Sequence, residues 1–163
     1  MKQTEKKKDA MKKKIKTMEL KSFFRADGSR ERVEYRADGT RERAEILHTD
    51  RTRERAEYRA DGTRERAEYY YADGTRERTG YYYADGTQER QEYFRADGMW
   101  ERVNYYRADG TRERTDYFRV DNTLEWRVYF RADGTRERTE YLCADGTRER
   151  AEYHNETTKG NKK

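Results

Sequence analysis

The chain has 163 residues, of which 31% are hydrophobic and 45% are charged, and its formal net charge is +5. Ordinary globular chains are richer in apolar residues and carry about 25% charged residues, so no large aliphatic core can form here. These counts disfavour a buried, preorganised pocket, and we predict that the protein is not an enzyme and uses no cofactor.

The charge is distributed unevenly along the chain. Residues 1–22 hold nine Lys and three acidic residues, and the C-terminal tail, residues 156–163, holds three Lys and one Glu. Residues 23–155 hold 27 Arg and 30 acidic residues, a net charge of −3. Because a phosphate-binding surface is positive where it touches the phosphates, we assign any attraction to nucleic acid or anionic membranes to the basic tails.

The N-terminal segment, residues 1–22, is predicted to form a short basic helix or a tail. Within residues 5–21, Met11, Ile15 and Met18 recur at helical spacing. Such a helix would cover the first edge strand of a sheet, which otherwise promotes aggregation. A solvated Lys-rich tail is the default expectation, and the helix is the alternative to it.

Residues 23–155 form eleven copies of the unit Ala-Asp-Gly-Thr-Arg-Glu-Arg-Ala-Glu-Tyr-Tyr-Arg, whose positions we number in this order. Two copies, residues 26–36 and 49–59, are one residue shorter. Asp-Gly between strand-forming residues is typical of a tight hairpin turn, because Gly accepts a positive φ. With one strand per unit, we predict an all-β fold: an elongated, twisted antiparallel meander of about eleven strands in a single layer.

A three-residue Ala-Asp-Gly loop with left-handed Gly sets the predicted register. Position 12 then faces position 4 of the next strand, 11 faces 5, 10 faces 6, 9 faces 7 and 8 faces itself. Glu at position 9 meets Arg at position 7, whereas a parallel solenoid would stack like charges. After the short units, a two-residue turn would keep Tyr35 opposite Glu42 and Tyr58 opposite Glu65. Arg51 replaces a turn Gly, so we expect a distorted turn there.

Alternation along the strands predicts two chemically different faces. One face carries an Arg/Glu lattice edged by Tyr and Phe. The other carries a central line of mostly small residues at position 8, bordered by Tyr: Val33, Ala44, Ala56, Ala67, Thr79, Val103, Thr115, Thr139 and Ala151.

An apolar row is predicted where Trp100 and Leu124 replace Arg at position 5, beside position 11 of both neighbouring strands. We place Trp126, Val128 and Phe130 on the same face as this row. Exposed contiguous apolar surface usually marks an interface, so we predict a docking surface for a partner, with a local brace of the sheet as the alternative. The candidate partner-binding residues are Phe94, Trp100, Phe118, Leu124, Trp126, Phe130 and Leu142.

The chain offers little for catalysis or metal binding. His48 and His154 are far apart in the array, and Cys143 is the single thiol. They form no local metal-ligand spacing and no nucleophile–base pair, so we predict no catalytic, cofactor or metal site. No apolar run is long enough for a signal peptide or a membrane span, and we expect a cytoplasmic protein.

The recurrent motif Tyr-Tyr-x-Ala-Asp-Gly, at residues 69–74, 81–86 and 105–110, resembles MORN repeats, especially bacterial MORN-variant repeats. It is more weakly similar to YD repeats. MORN hairpin units are about two dozen residues long, equivalent to two units here, but most of their other glycines are replaced by Arg-Glu-Arg. The resemblance implies a scaffold that binds proteins or lipids, an antitoxin or immunity-like role for the bacterial variants, and no catalytic residues.

We therefore predict a non-enzymatic repeat scaffold for protein–protein interaction. A self-assembling structural protein is one alternative, because both terminal edge strands match the repeat and could pair between chains. Binding of nucleic acid or anionic membranes through the Lys-rich tails is the other alternative.

Overall fold

The computed structural model describes residues 19–154, which form one open sheet of twelve antiparallel strands in chain order. The predicted all-β meander of about eleven strands is confirmed. The strands are β1 (Glu19–Phe24), β2 (Arg30–Tyr35), β3 (Arg41–Leu47), β4 (Arg53–Tyr58), β5 (Arg64–Tyr70), β6 (Arg76–Tyr82), β7 (Gln88–Phe94), β8 (Trp100–Tyr106), β9 (Arg112–Phe118), β10 (Leu124–Phe130), β11 (Arg136–Leu142) and β12 (Arg148–Tyr153).

The sheet begins before the first complete repeat. β1 pairs with β2 along its whole length, from Glu19 opposite Tyr35 to Phe24 opposite Arg30. Residues 19–21, at the end of the predicted helix, are therefore extended, because the ladder with β2 satisfies their backbone groups. The rest of that predicted helix and the C-terminal tail lie outside the described residues.

All eleven turns share one geometry. The N–H of position 3 donates to the carbonyl of position 12, and the N–H of position 12 donates to the carbonyl of position 4. In the turn after β5, these bonds join Gly74 to Tyr71 and Tyr71 to Thr75, both at 2.9 Å. The turn glycines have φ between 81° and 87°, which confirms the predicted loop with left-handed Gly.

Two predictions about irregular turns are wrong. Arg51 takes a φ of 70° and donates its N–H to the His48 carbonyl at 3.0 Å, so the turn after β3 is regular. Its hydrogen bonds offset the cost of a left-handed non-Gly residue, about 1–2 kcal/mol. The turn after the short unit 26–36 is not shortened either, because Arg36 donates to the Thr40 carbonyl at 2.8 Å as in every other turn.

Each unit of twelve residues contains a β-bulge at position 6. In β6, Arg76 lies opposite Tyr70 and Arg78 opposite Tyr69, so Glu77 has no partner in β5. The predicted pairing of position 11 with position 5 is confirmed. From β5 to β12, position 10 instead faces position 7, and position 9 faces position 8, because the bulge takes up one residue. From β2 to β5, the predicted pairing of position 9 with position 7 and of position 8 with itself is confirmed.

The short units differ from the long units by the absence of this bulge. β2 and β4 pair with the preceding strands without a register shift. Because the turns that follow β2 and β4 keep their full length, Tyr35 lies opposite Arg41 and Tyr58 opposite Arg64. The prediction that they would lie opposite Glu42 and Glu65 is wrong. The missing residue is therefore removed from the strand and not from the turn.

The bulges decide which side chains share a face. We call the face that carries Glu68 the front and the face that carries Ala67 the back. From β2 to β5 the residues of position 8 lie opposite one another and stay on the back. At β6 position 8 faces position 9, and Thr79 joins Glu68 on the front. The predicted continuous line of small residues therefore breaks after Ala67.

The buried residues form a narrow central strip on each face. Ala67 on the back and Thr79 on the front are both 0% exposed. Each strand contacts only its neighbours in sequence, so no second layer covers residues 19–154. The cover comes from the long Arg and Tyr side chains on either side of the strip, whose stems and rings lie along the sheet.

Candidate functional site

The predicted apolar row is present on the front face. Phe94 lies opposite Trp100 and Phe118 opposite Leu124, and the rings of Trp100 and Phe118 are 5.3 Å apart. Leu142 continues the row on β11. All five side chains are half-buried. We use the term apolar row for Phe94, Trp100, Phe118, Leu124 and Leu142.

Trp126 does not lie on the face of the apolar row. It pairs with Tyr117, whereas Leu124 pairs with Phe118, and consecutive residues of a strand point to opposite faces. The bulge in β10 separates the two, so Trp126 lies on the back. The prediction that they share a face is wrong because it did not include this bulge.

On the back face, Trp126 forms an aromatic cleft with Tyr117 and Tyr141. The rings of Tyr117 and Trp126 stack 4.8 Å apart at an interplanar angle of 21°. The cleft measures about 400 Å³, and Val128 forms part of its lining. Phe130 also lies on the back, so three predicted members of the front surface belong to the opposite side.

Elsewhere on the back face, Tyr at position 10 alternates with Arg at position 7. The guanidinium of Arg78 lies 3.7 Å from the ring centroid of Tyr69, and that of Arg102 lies 4.0 Å from the ring centroid of Tyr93. The front face shows the same alternation. Within residues 19–154, eleven arginines make cation–π contacts of this kind, which add to the ion pairs that other arginines make with Glu and Asp.

The central acidic residues of the front face are also paired. Glu68 accepts hydrogen bonds from Arg66 at 2.7 Å and from the Tyr70 hydroxyl at 2.9 Å. Asp116 accepts hydrogen bonds from Arg127 at 2.8 and 3.1 Å. This pairing raises the pKa of Arg127, because the hydrogen bonds to Asp116 favour its charged form. These carboxylates stabilise the sheet and are not arranged as an acid–base pair.

Met99 and Val120 are exposed apolar residues in the turns after β7 and β9, and they were not among the predicted site residues. Met99 is 42% exposed and Val120 is 74% exposed. Met99 replaces the usual Thr, so Asp97 accepts only a backbone N–H at 2.9 Å and no hydroxyl. Their departure from the repeat consensus is the signal that would have identified them.

The turn aspartates serve the turns. Asp73, for example, accepts the hydroxyl of Thr75 at 2.6 Å and its N–H at 2.8 Å. These hydrogen bonds hold the pKa of Asp73 below its ordinary value of 3.8. The same arrangement recurs in ten of the eleven turns.

The histidines and the cysteine are not brought together. His48 and Cys143 belong to different turns, and the His154 ring lies 3.1 Å from the Thr139 hydroxyl. Within residues 19–154 no three His, Cys, Asp or Glu side chains are placed to share a metal ion. The same part of the chain has no helix that could cross a membrane.

A set of arginines that directly precede the turns ties the turns together, an arrangement that the sequence did not reveal. They occupy position 12 of the long units and the last position of the short units, which we also call position 12. Arg95 donates to the carbonyls of Trp100 at 2.5 Å and Arg119 at 3.1 Å, and also to that of Phe118. Each such guanidinium bridges two turns that are neighbours at the same end of the strands. We call this contact the arginine clamp, and it is formed by Arg36, Arg59, Arg95, Arg107, Arg119 and Arg131.

Comparison with known proteins gives no family. No protein-family model and no curated protein matches the sequence. Two crystal structures of TarM, one of them an S. aureus variant, are 10% identical with TM-scores of 0.48 and 0.49, over 74% of this chain and 23% of TarM. Accessory secretory proteins of Streptococcus pneumoniae give 9% identity and a TM-score of 0.42, over 75% of this chain and 18% of that chain. The chain spans less than a quarter of each of these three structures, and these likenesses assign no function.

Proposed function

We propose that the protein is a non-enzymatic repeat scaffold that binds a protein partner through the apolar row. The observation that supports this proposal most directly is the continuity of five aromatic and aliphatic side chains on the front of a single-layer sheet. Contiguous exposed apolar surface on a soluble chain is characteristic of interaction sites.

The neighbouring strands show what the row replaces. Where position 5 is Arg, it lies near the aromatic residue of position 11, as Arg76 does at 5.0 Å from the Phe94 ring. Trp100 and Leu124 give up this cation–π contact and leave large apolar side chains half-exposed. Fully burying one such side chain contributes about 1.5–3 kcal/mol, which a partner can supply.

The dimensions of the row indicate the chemistry of the partner. Five strands span four inter-strand spacings, about 19 Å. This length equals about three and a half turns of an α-helix. We infer that the partner presents an amphipathic helix, whose apolar side lies across the strands.

The test compares protein binding by the parent chain and by two variants in which Arg, the usual residue of the repeat, replaces apolar residues. A tagged full chain is incubated with nuclease-treated native lysate, beside the double variant Trp100→Arg, Leu124→Arg and the control Trp126→Arg. We expect a discrete protein that the parent and the control retain equally and the double variant retains about tenfold less, a loss of about 1.4 kcal/mol. Binding of the recombinant retained protein then confirms a direct contact.

The control separates the apolar row from a general effect of charge, because Trp126→Arg adds the same group on the back face. Circular dichroism and urea denaturation establish that all three chains keep the sheet. If the folded double variant retains every protein as well as the parent does, the proposal is overturned. Retention that disappears with nuclease would instead assign the binding to the Lys-rich tails.

Self-assembly through the edge strands is a second candidate function. Leu20 and Phe24 on β1 and Tyr153 on β12 are exposed large side chains at the two ends of the sheet. Because the number of strands is even, β12 of one copy and β1 of the next would run antiparallel, as neighbouring strands do throughout the sheet. Light scattering tests this function: mass that rises with concentration supports it, and a constant monomer mass rules it out.

A further inference from the structure

Successive turns on one side of the sheet are separated by a gap, which the arginine clamp fills in six places. In the clamp of Arg95, the guanidinium donates to the Trp100 carbonyl at the start of β8. It also donates to the carbonyls of Phe118, at the end of β9, and Arg119, in the turn that follows β9. Arg36 and Arg59 make the same three contacts. The repeat therefore builds a recurring guanidinium site from its backbone.

The gap beside Tyr71 has the same backbone but a different residue at position 12. Its three equivalent carbonyls belong to Arg76, Phe94 and Arg95, at the same spacings along the chain as in the clamp of Arg95. Among the side chains of residues 19–154, none donates a hydrogen bond to these carbonyls. An open cleft of about 740 Å³ lies here, bounded by Tyr71, Phe94 and Arg95.

The lining of this cleft favours a planar cation. Tyr71, Asp73 and Glu101 belong to its lining. Asp73 accepts hydrogen bonds from Thr75 through Oδ1 and Glu101 accepts one from Arg102 through Oε1, which leaves one oxygen of each carboxylate for a further donor. Carbonyl and carboxylate oxygens accept hydrogen bonds from a guanidinium, and an aromatic face attracts it. Arg95 also borders the cleft, but its guanidinium is bound in the next gap.

We propose that this cleft binds the guanidinium of an arginine side chain from a partner protein. Arginine presents five donors in a fixed planar fork, which matches the set of carbonyls that each clamp binds, whereas lysine presents a single compact ammonium. The chain's own six clamps show that this backbone holds that group. The site adjoins the apolar row at Phe94, but it lies between turns and its proposed acceptors are backbone oxygens.

The first experiment titrates the ¹⁵N-labelled full chain with argininamide and, separately, with lysinamide. We expect saturable amide shifts centred on residues 76, 94 and 95, with a dissociation constant roughly fivefold lower for argininamide than for lysinamide. The variant Tyr71→Arg supplies the guanidinium from within the chain and should abolish these shifts. Shifts that are linear in concentration, or that persist in Tyr71→Arg, would overturn the proposal.

Two further variants act as matched controls. Tyr83→Arg changes the equivalent position in a turn at the opposite end of the strands and should leave the shifts near Phe94 unchanged. Arg95→Ala removes one clamp and should create an additional site, with new saturable shifts at Trp100 and Arg119. Absence of these new shifts in folded Arg95→Ala would contradict the proposal even if Tyr71→Arg did not fold. None of these outcomes depends on whether the apolar row binds a partner.

Discussion

Strands β2–β5 and strands β6–β12 are built from nearly the same unit, yet they present it differently. In the first region, Val33, Ala44, Ala56 and Ala67 lie opposite one another on the back face, and the front carries an Arg/Glu lattice. In the second region, position 8 faces position 9, and both faces carry the same mixture of Arg, Tyr and small residues. One residue per repeat causes this difference.

The comparison shows how unit length controls the faces of a repeat sheet. Where units of eleven and twelve residues alternate, only every second strand has a bulge, and position 8 stays on one face. Where every unit has twelve residues, every strand has a bulge, and position 8 changes face at each strand. Positions 11 and 5 lie between the turn and the bulge, so their pairing is the same in both regions. The apolar row can therefore be continuous in the second region.

The largest effect is expected from deleting a strand residue after the bulge. Without Tyr82, β6 has the length of a short-unit strand, so it must lose its bulge and turn Arg78 and Thr79 to opposite faces. This reversal removes Thr79 from its buried place on the front face and moves the charged Arg78 there. We expect the free energy of unfolding, measured by urea denaturation, to fall by about 3 kcal/mol or more. Deleting Glu77 instead removes only the bulge and should cost about 1 kcal/mol. Equal losses would contradict the role assigned to the bulge.

A smaller effect is expected from removing an arginine clamp, a feature shared by both regions. Arg107 donates to the carbonyls of Arg112 at 2.8 Å and Phe130 at 2.5 Å. Arg107→Ala should lower the free energy of unfolding by about 2 kcal/mol, because two charged hydrogen bonds to backbone carbonyls are lost. Tyr83→Arg should raise it by about 1 kcal/mol, since it adds a clamp. A neutral Arg107→Ala in urea denaturation would show that the clamp does not contribute to stability.

A smaller gain is expected at the left-handed Arg51 of the first region. Arg51→Gly should stabilise the chain by about 1 kcal/mol, because Gly adopts a positive φ without steric cost. The matched control is Asn122→Gly in the second region, where Asn already tolerates this conformation and the gain should be smaller. Thermal unfolding of both variants decides the order, and a larger gain at Asn122 would contradict the explanation.

The smallest effect per residue is expected from the turn aspartates, which occur in both regions. The hydroxyl and then the N–H of position 4 lower the pKa of ten of them below 3.8, so the stability they provide is present above about pH 4 and is lost as pH falls through the folded pKa. Burial raises the pKa of Tyr69 and Tyr70 above 10.0, so their contribution is present below pH 10 and is lost as pH rises through the folded pKa. Denaturation midpoints should be constant from about pH 5 to pH 9. A maximum confined to neutral pH would contradict this account.

The fold, the turns and the apolar row could be predicted because their signals are local. Asp-Gly fixes the turn, and the replacement of Arg by Trp100 and Leu124 is informative because position 5 adjoins position 11 next to that turn. The face of Trp126 could not be predicted in the same way. An extra residue can be placed in a loop or in a strand, and nothing in the unit marks Glu125 as a bulge.

The arginine clamp could not be predicted for a different reason. Position 12 contacts a turn two strands away, and neither strand propensity nor cross-strand pairing describes that distance. The substitution of Tyr71 and Tyr83 for Arg at this position is visible in the sequence, but its meaning depends on where the guanidinium of the other repeats lies. Only the contacts of Arg95 and its equivalents supply that information.

The most direct test of the central claim uses the two tryptophans of the chain, which the bulge in β10 places on opposite faces. Hydroxyl-radical footprinting of the chain, alone and bound to the protein that it retains, measures the oxidation of Trp100 and Trp126 separately. The account predicts that binding protects Trp100 strongly and leaves Trp126 unchanged. Protection of Trp126 alone, or equal protection of both, would contradict it.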